Sequence, residues 1–140
     1  MRRLMLLLAA SVIAGCQSPL PAVNPQMAWV DFSVPFPNDK LLMAERLDNQ
    51  RLNDGRFFQV MPGSHVLLVR FDFEIPGGGG LGVMDGTTER LCYLTIKYDH
   101  FEAGQRYVLV GQSIVFTPGA RLYNAKREIV AEDSESYCLM

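Results

Sequence analysis

The chain has 140 residues, 49% of them hydrophobic and 20% charged, with a formal net charge of −2. That composition fits one ordinary globular domain with enough apolar side chains for a single core. Its mild acidity argues against a nucleic-acid partner, because affinity for phosphate backbones rests on clustered Lys and Arg displacing counterions; without residues 1 to 15, which hold Arg2 and Arg3 and no acid, the charge becomes −4.

The chain opens with Arg2 and Arg3, an apolar stretch from Leu4 to Ala14 and then small residues. This is the layout of a secretory signal. A bilayer-spanning helix needs about 20 apolar residues, and this run is interrupted too early, at Gln17, Ser18 and Pro19. Residues 1 to 15 are therefore expected to be an export signal.

Within that segment, Ile13-Ala14-Gly15-Cys16 resembles the lipobox of bacterial lipoproteins, an aliphatic residue and two small ones before an invariant cysteine. The resemblance implies thioether lipidation of Cys16, cleavage between Gly15 and Cys16, and acylation of the new amino terminus. One acyl chain binds a membrane reversibly, whereas two or more hold a protein there stably. Inner-membrane lipoproteins typically carry Asp after the lipidated cysteine. Gln17 at that position implies the outer membrane, with the domain facing the periplasm.

Residues 16 to 26 continue as Cys16 and QSPLPAVNPQ, with three prolines and no charge. Such a linker is semi-rigid at about 3.1 Å per residue, so it is expected to hold a domain roughly 30 Å from the lipid.

The folded part is expected to span residues 27 to 140 and to be all-β. In HVLLVRFDFE, residues 65 to 74, Leu67, Val69, Phe71 and Phe73 share one face and Leu68, Arg70, Asp72 and Glu74 the other, the alternation of a half-buried strand. CYLTIKYD, residues 92 to 99, places Cys92, Leu94, Ile96 and Tyr98 together. Further strands are expected at Ala28 to Phe32, Leu41 to Leu47, Arg56 to Met61, Arg106 to Val110, Ile114 to Phe116, Arg121 to Tyr123 and Glu128 to Ala131. KLLMAERL, residues 40 to 47, would also suit two helical turns. Turn residues separate the candidates at Asp48-Asn49, Asn53-Asp54-Gly55, Pro62-Gly63, Ala103-Gly104 and Pro118-Gly119. Seven or eight short strands so spaced predict a single antiparallel β-sandwich.

The runs LDNQRLNDGRFFQVMPGSHVLLVRF, residues 47 to 71, and FEAGQRYVLV, residues 101 to 110, are similar to PEGA-like domains and to lipoprotein domains with a prealbumin-like sandwich. The similarity covers about half of the chain after the signal and implies envelope display or binding.

Little in the sequence points to catalysis. The imidazoles are His65 and His100, kept as possible binding residues. Neighbours on a strand point to opposite faces, so neither Ser64 with His65 nor Asp99 with His100 forms a catalytic pair by adjacency. There is no CxxC, HxH or HExxH spacing and no calcium-loop pattern, so neither metal nor cofactor is expected. The tract IPGGGGLG, residues 75 to 82, lacks the Gly-Lys-Ser/Thr of a phosphate loop and reads as an exposed loop tip. With Cys16 lipidated, Cys92 and Cys138 remain as an even pair in an oxidising compartment and are a candidate disulfide.

The expected function is that of a membrane-anchored envelope lipoprotein, a non-enzymatic binding or structural module whose partner is an envelope protein or peptidoglycan. The alternative is a periplasmic enzyme or small-ligand binder using His65 and His100 in one cleft. A third option places Trp29, Phe32 and Phe36 in an exposed aromatic patch for assembly, against the more ordinary burial of those rings.

Overall fold

The computed structural model describes residues 15–77, 86 and 88–139. Most of the expected export signal and residues 78–82 of the glycine tract, on which the expected loop tip falls, lie outside these. The described chain is all-β, with nine strands: β1 (Ala28–Ser33), β2 (Asp39–Leu47), β3 (Gln50–Arg51), β4 (Phe58–Val60), β5 (Gly63–Ile75), β6 (Thr88–Phe101), β7 (Arg106–Ile114), β8 (Thr117–Tyr123) and β9 (Ile129–Leu139). Leu41 to Leu47 lies within β2 and is not helical; Leu42 and Ala44 alternate inward there.

The strands form one continuous sheet in the order β3-β2-β5-β6-β9-β8-β7-β1-β4. The expected pair of sheets is thus joined through β9, whose first residues pair with β8 and whose last pair with β6. The sheet folds over so that β7 faces β2 and β5: a Cβ on Gly111 would stand 3.2 Å from the side chains of Leu42 and Phe71. One expectation needs correction, because β1 pairs parallel to β7. The segment between them carries the chain through β2 to β6, so β1 returns to the sheet beside a strand of the same direction. The other pairings are antiparallel.

The core sits between the two halves. Leu67, Val69, Phe71, Phe73 and Ile75 of β5 and Cys92, Leu94 and Ile96 of β6 meet Leu109 of β7 and Leu122 of β8 there, the faces that the alternation predicts. Asp48 and Asn49 turn β2 into β3 with φ of 48° and 66°, which short polar side chains tolerate.

One turn expectation and one strand expectation fail. Pro118-Gly119 lies inside β8, and the reversal falls on Val115-Phe116, so the strand expected at Ile114 to Phe116 is the end of β7 and the hairpin turn. Pro118 is tolerated because β8 pairs with β9 only from Arg121 onward, leaving its missing N–H opposite no ladder partner on that side.

Candidate functional site

Residues 16 to 26 carry no strand and are exposed, and Cys16 is exposed. The segment does not stand away from the domain as a spacer. At its domain end, Asn24 caps the turn into β1 by accepting from the Gln26 amide at 2.9 Å, and Met27 accepts from the Gly104 amide at 3.0 Å. Further back, the Ser18 carbonyl accepts from Arg56 Nη1 at 2.9 Å. Arg56 is itself aimed by Asp54, whose carboxylate takes its Nη2 at 2.7 Å. Hydrogen bonds from that guanidinium and then from the Arg56 amide hold the Asp54 carboxyl below its usual range against an opposing effect of burial. Arg56 precedes β4, so the tether doubles back along the β4 edge, and the expected 30 Å stand-off is replaced by contact.

Beside Arg56 the two ends of the folded sheet approach each other. An apolar cleft of about 380 Å³ lies between them, lined by Phe32, Leu41, Leu42, Met43 and Gly55, with Asp31 and Arg56 at its rim. Asp31 accepts Arg106 Nε at 2.6 Å and Trp29 Nε1 at 2.9 Å. The Arg106 hydrogen bond is the main reason its carboxyl lies below the usual range. Trp29 is 2% exposed and stacked on Phe57 at 4.3 Å, and Phe32 meets Phe58 edge-on. The aromatic patch considered from the sequence therefore reduces to Phe36, which is 47% exposed.

His65 is committed to holding a turn. Its Nδ1 lies 2.6 Å from Asp48 Oδ2 and its Nε2 lies 2.7 Å from the Met61 carbonyl. Asp48 Oδ1 also accepts the Val66 amide at 2.8 Å. Burial pushes the Asp48 carboxyl up, but the Val66 amide and the His65 ring outweigh it and leave it below its usual range. Ser64 donates to Asp99 across the strands at 2.7 Å, so neither residue of the Ser64-His65 pair acts on the other.

His100 is exposed and edge-on to Tyr98, with ring centroids 6.1 Å apart. Tyr98 lines a polar cleft of about 170 Å³ with Glu102, Gln105, Tyr107 and Lys126. Burial, then the neighbouring Tyr107 and Glu102, raise the Tyr98 hydroxyl above its ordinary range. Neither histidine lines this cleft or the apolar one. The structure gives each its own partners and does not bring them to a shared site.

Cys92 and Cys138 face each other across the β6–β9 pair, with Sγ atoms 2.04 Å apart, at disulfide distance. Among the described residues, no group of three or more His, Cys, Asp or Glu is placed to hold a metal ion, and no helix is long and apolar enough to cross a membrane.

Comparison with protein-family models, with curated proteins and with solved structures found no match to this chain.

Sequence reasoning missed two features. The Arg56 contact to Ser18 joins residues 38 apart and leaves no periodic signal. The hairpin tip Ile114-Val115-Phe116 had one: three consecutive apolar residues in a ten-residue stretch without charge, residues 111 to 120.

Proposed function

We propose that the chain is an exported, lipid-anchored protein of the bacterial cell envelope whose β domain is a non-enzymatic binding or structural module. The observation that carries this reading is the ordered start of the sequence: Arg2-Arg3, the apolar run from Leu4, and Ile13-Ala14-Gly15-Cys16. Lipid on Cys16 fixes the protein to a membrane, and Gln17 directs it to the outer membrane, facing the periplasm. The exposure of Cys16 ahead of the first strand is compatible with attachment there. The non-enzymatic reading is supported by His65, both of whose ring nitrogens are used in holding a turn. The partner is an envelope protein or peptidoglycan.

Palmitate labelling in the native host tests the anchor. The wild-type chain should incorporate labelled palmitate and start at Cys16, and Cys16→Ala should do neither, keeping its apolar leader; equal labelling of both would refute lipid attachment at Cys16.

A second reading, a small-ligand binder, draws on the polar cleft at Tyr98 and Tyr107 beside His100. Titration with envelope sugars tests it: chemical-shift changes confined to Tyr98, Tyr107 and Lys126 would favour it, and none would remove it.

A further inference from the structure

We propose that the β7–β8 hairpin tip, Ile114-Val115-Phe116, enters the surface of the bilayer that carries the anchor. The setting rests on the lipoprotein reading above; the tip itself is argued from its chemistry, its backbone and its place.

Ile114 is 69% exposed and Val115 and Phe116 are each 58% exposed. Apolar side chains scattered singly over a surface are ordinary, whereas a contiguous projecting group marks a contact surface. Residues 111 to 120 contain no charged side chain, so nothing in the hairpin end must be stripped of water at high cost on entering lipid.

The backbone adds a second observation. Val115 has φ of 57°, at the first position of a two-residue turn where hairpins ordinarily use glycine or asparagine. A β-branched residue is strained there. Glycine would serve the turn without either strain or exposed hydrocarbon, so the fold alone does not account for valine.

The tether decides among occupants. Residues 25 to 27 lie against Gly104 at the base of β7, while Ser18 is held by Arg56. Arg56 comes two residues before Phe58, which pairs with Val30, and β1 runs parallel to β7. The tether therefore climbs from the base toward the end that bears the tip. At about 3.3 Å per residue, Arg56 stands roughly 10 Å above the base, about level with Leu109 and five residues short of Ile114; Ser18 is held within reach of its side chain, and Cys16 lies within ~7 Å of Ser18. Exposed apolar groups continue on that side: Leu41, 43% exposed, in the cleft beside Arg56, and Phe36, 47% exposed. The Phe36 carbonyl accepts from Asp39, and Asp39 in turn holds Ser113, the neighbour of Ile114. Anchor, cleft and tip thus share one side of the domain, and a lipid surface at Cys16 is the occupant within reach.

The test uses residues 17–140, the tether and whole β domain, with a hexahistidine segment in place of Cys16, on vesicles containing nickel-chelating lipid. This supplies an anchor at the same chain position whether or not Cys16 is lipidated in cells, so failure of the tip and failure of the lipoprotein reading are separable. In Phe116→Trp, the new indole reports on the tip; Trp29, buried under Phe57, sets a constant background seen in the unsubstituted protein. Its emission should shift to the blue on vesicles and be quenched by bromines on the upper acyl carbons, ~5–10 Å below the headgroups. In the unsubstituted protein, amide exchange at residues 114 to 117 should slow on the same vesicles. An indole that stays unquenched and water-exposed on vesicle-bound protein would overturn the proposal. Shielding of the indole before vesicles are added, with a dimer on sedimentation, would assign the tip to a second copy and equally overturn it.

Discussion

Asp39 at the start of β2 accepts two hydrogen bonds from Ser113 near the end of β7, from the amide at 3.1 Å and from Oγ at 2.5 Å. The residue is 6% exposed, and its Oδ2 is buried without a hydrogen-bond partner among the described residues. It ties the two facing halves of the sheet together beside the hairpin tip. Ser113→Ala removes one of the two bonds from a buried acceptor and should cost about 1–3 kcal/mol. Asp39→Ala leaves the Ser113 donors unpaired in the same place and should cost at least as much. Urea unfolding of both variants checks this; wild-type midpoints in both would mean that the pair does not hold the halves.

Asp48 predicts an acid-side loss of stability. Its folded carboxyl lies below its usual range: burial pushes the other way, but the Val66 amide and His65 prevail. A depressed carboxyl contributes stability that is fully present above its unfolded value of about 3.9 and is lost as pH falls through the lower folded value. Asp31, lowered chiefly by Arg106, acts in the same direction. Asp48→Asn should therefore have a flatter unfolding midpoint between about pH 5 and pH 2 than the wild type. Parallel curves would contradict the assignment.

Cys92 and Cys138 are separated by 46 residues. A covalent link closing a loop of that length stabilises the fold by about 4 kcal/mol in the chain-entropy view. Both thiols should resist alkylation until a reductant is added, and the double variant Cys92→Ala, Cys138→Ala should unfold at clearly lower urea. Complete labelling of both without reductant would refute the link.

Arg56→Ala should free the tether without disturbing the core, since among the described residues the guanidinium hydrogen-bonds only Ser18 and Asp54. Limited proteolysis should then cut between residues 17 and 24 several-fold faster, while far-ultraviolet circular dichroism stays unchanged. An unaltered cutting rate would mean that the tether is not held there.

The strands were legible where one side chain in two is buried. Leu67 to Phe73 and Cys92 to Ile96 follow period-two alternation because each faces the core on one side only. Pairing was not legible, since the parallel contact of β1 with β7 depends on which strand closes the sheet and not on the pattern within β1. The Pro118-Gly119 signal misled, because proline marks a turn only when no free strand side can accommodate it. Val115 sits at the true reversal and is a residue that turn chemistry never selects. Of the candidate site residues, Cys92 with Cys138 followed from their even count, whereas Asp48, the partner of His65 17 residues away, became visible only once β2 and β5 were paired, and the Met61 carbonyl, four residues away, is a backbone group that leaves no side-chain signal.

The central claim is the lipid anchor, and the intact mass of the protein extracted from membranes of its native host tests it most directly. The account predicts the mass of residues 16–140 plus diacylglyceryl and acyl groups, rising by two hydrogens on reduction. An unmodified polypeptide mass would contradict it and return Cys16 to the status of an ordinary cysteine.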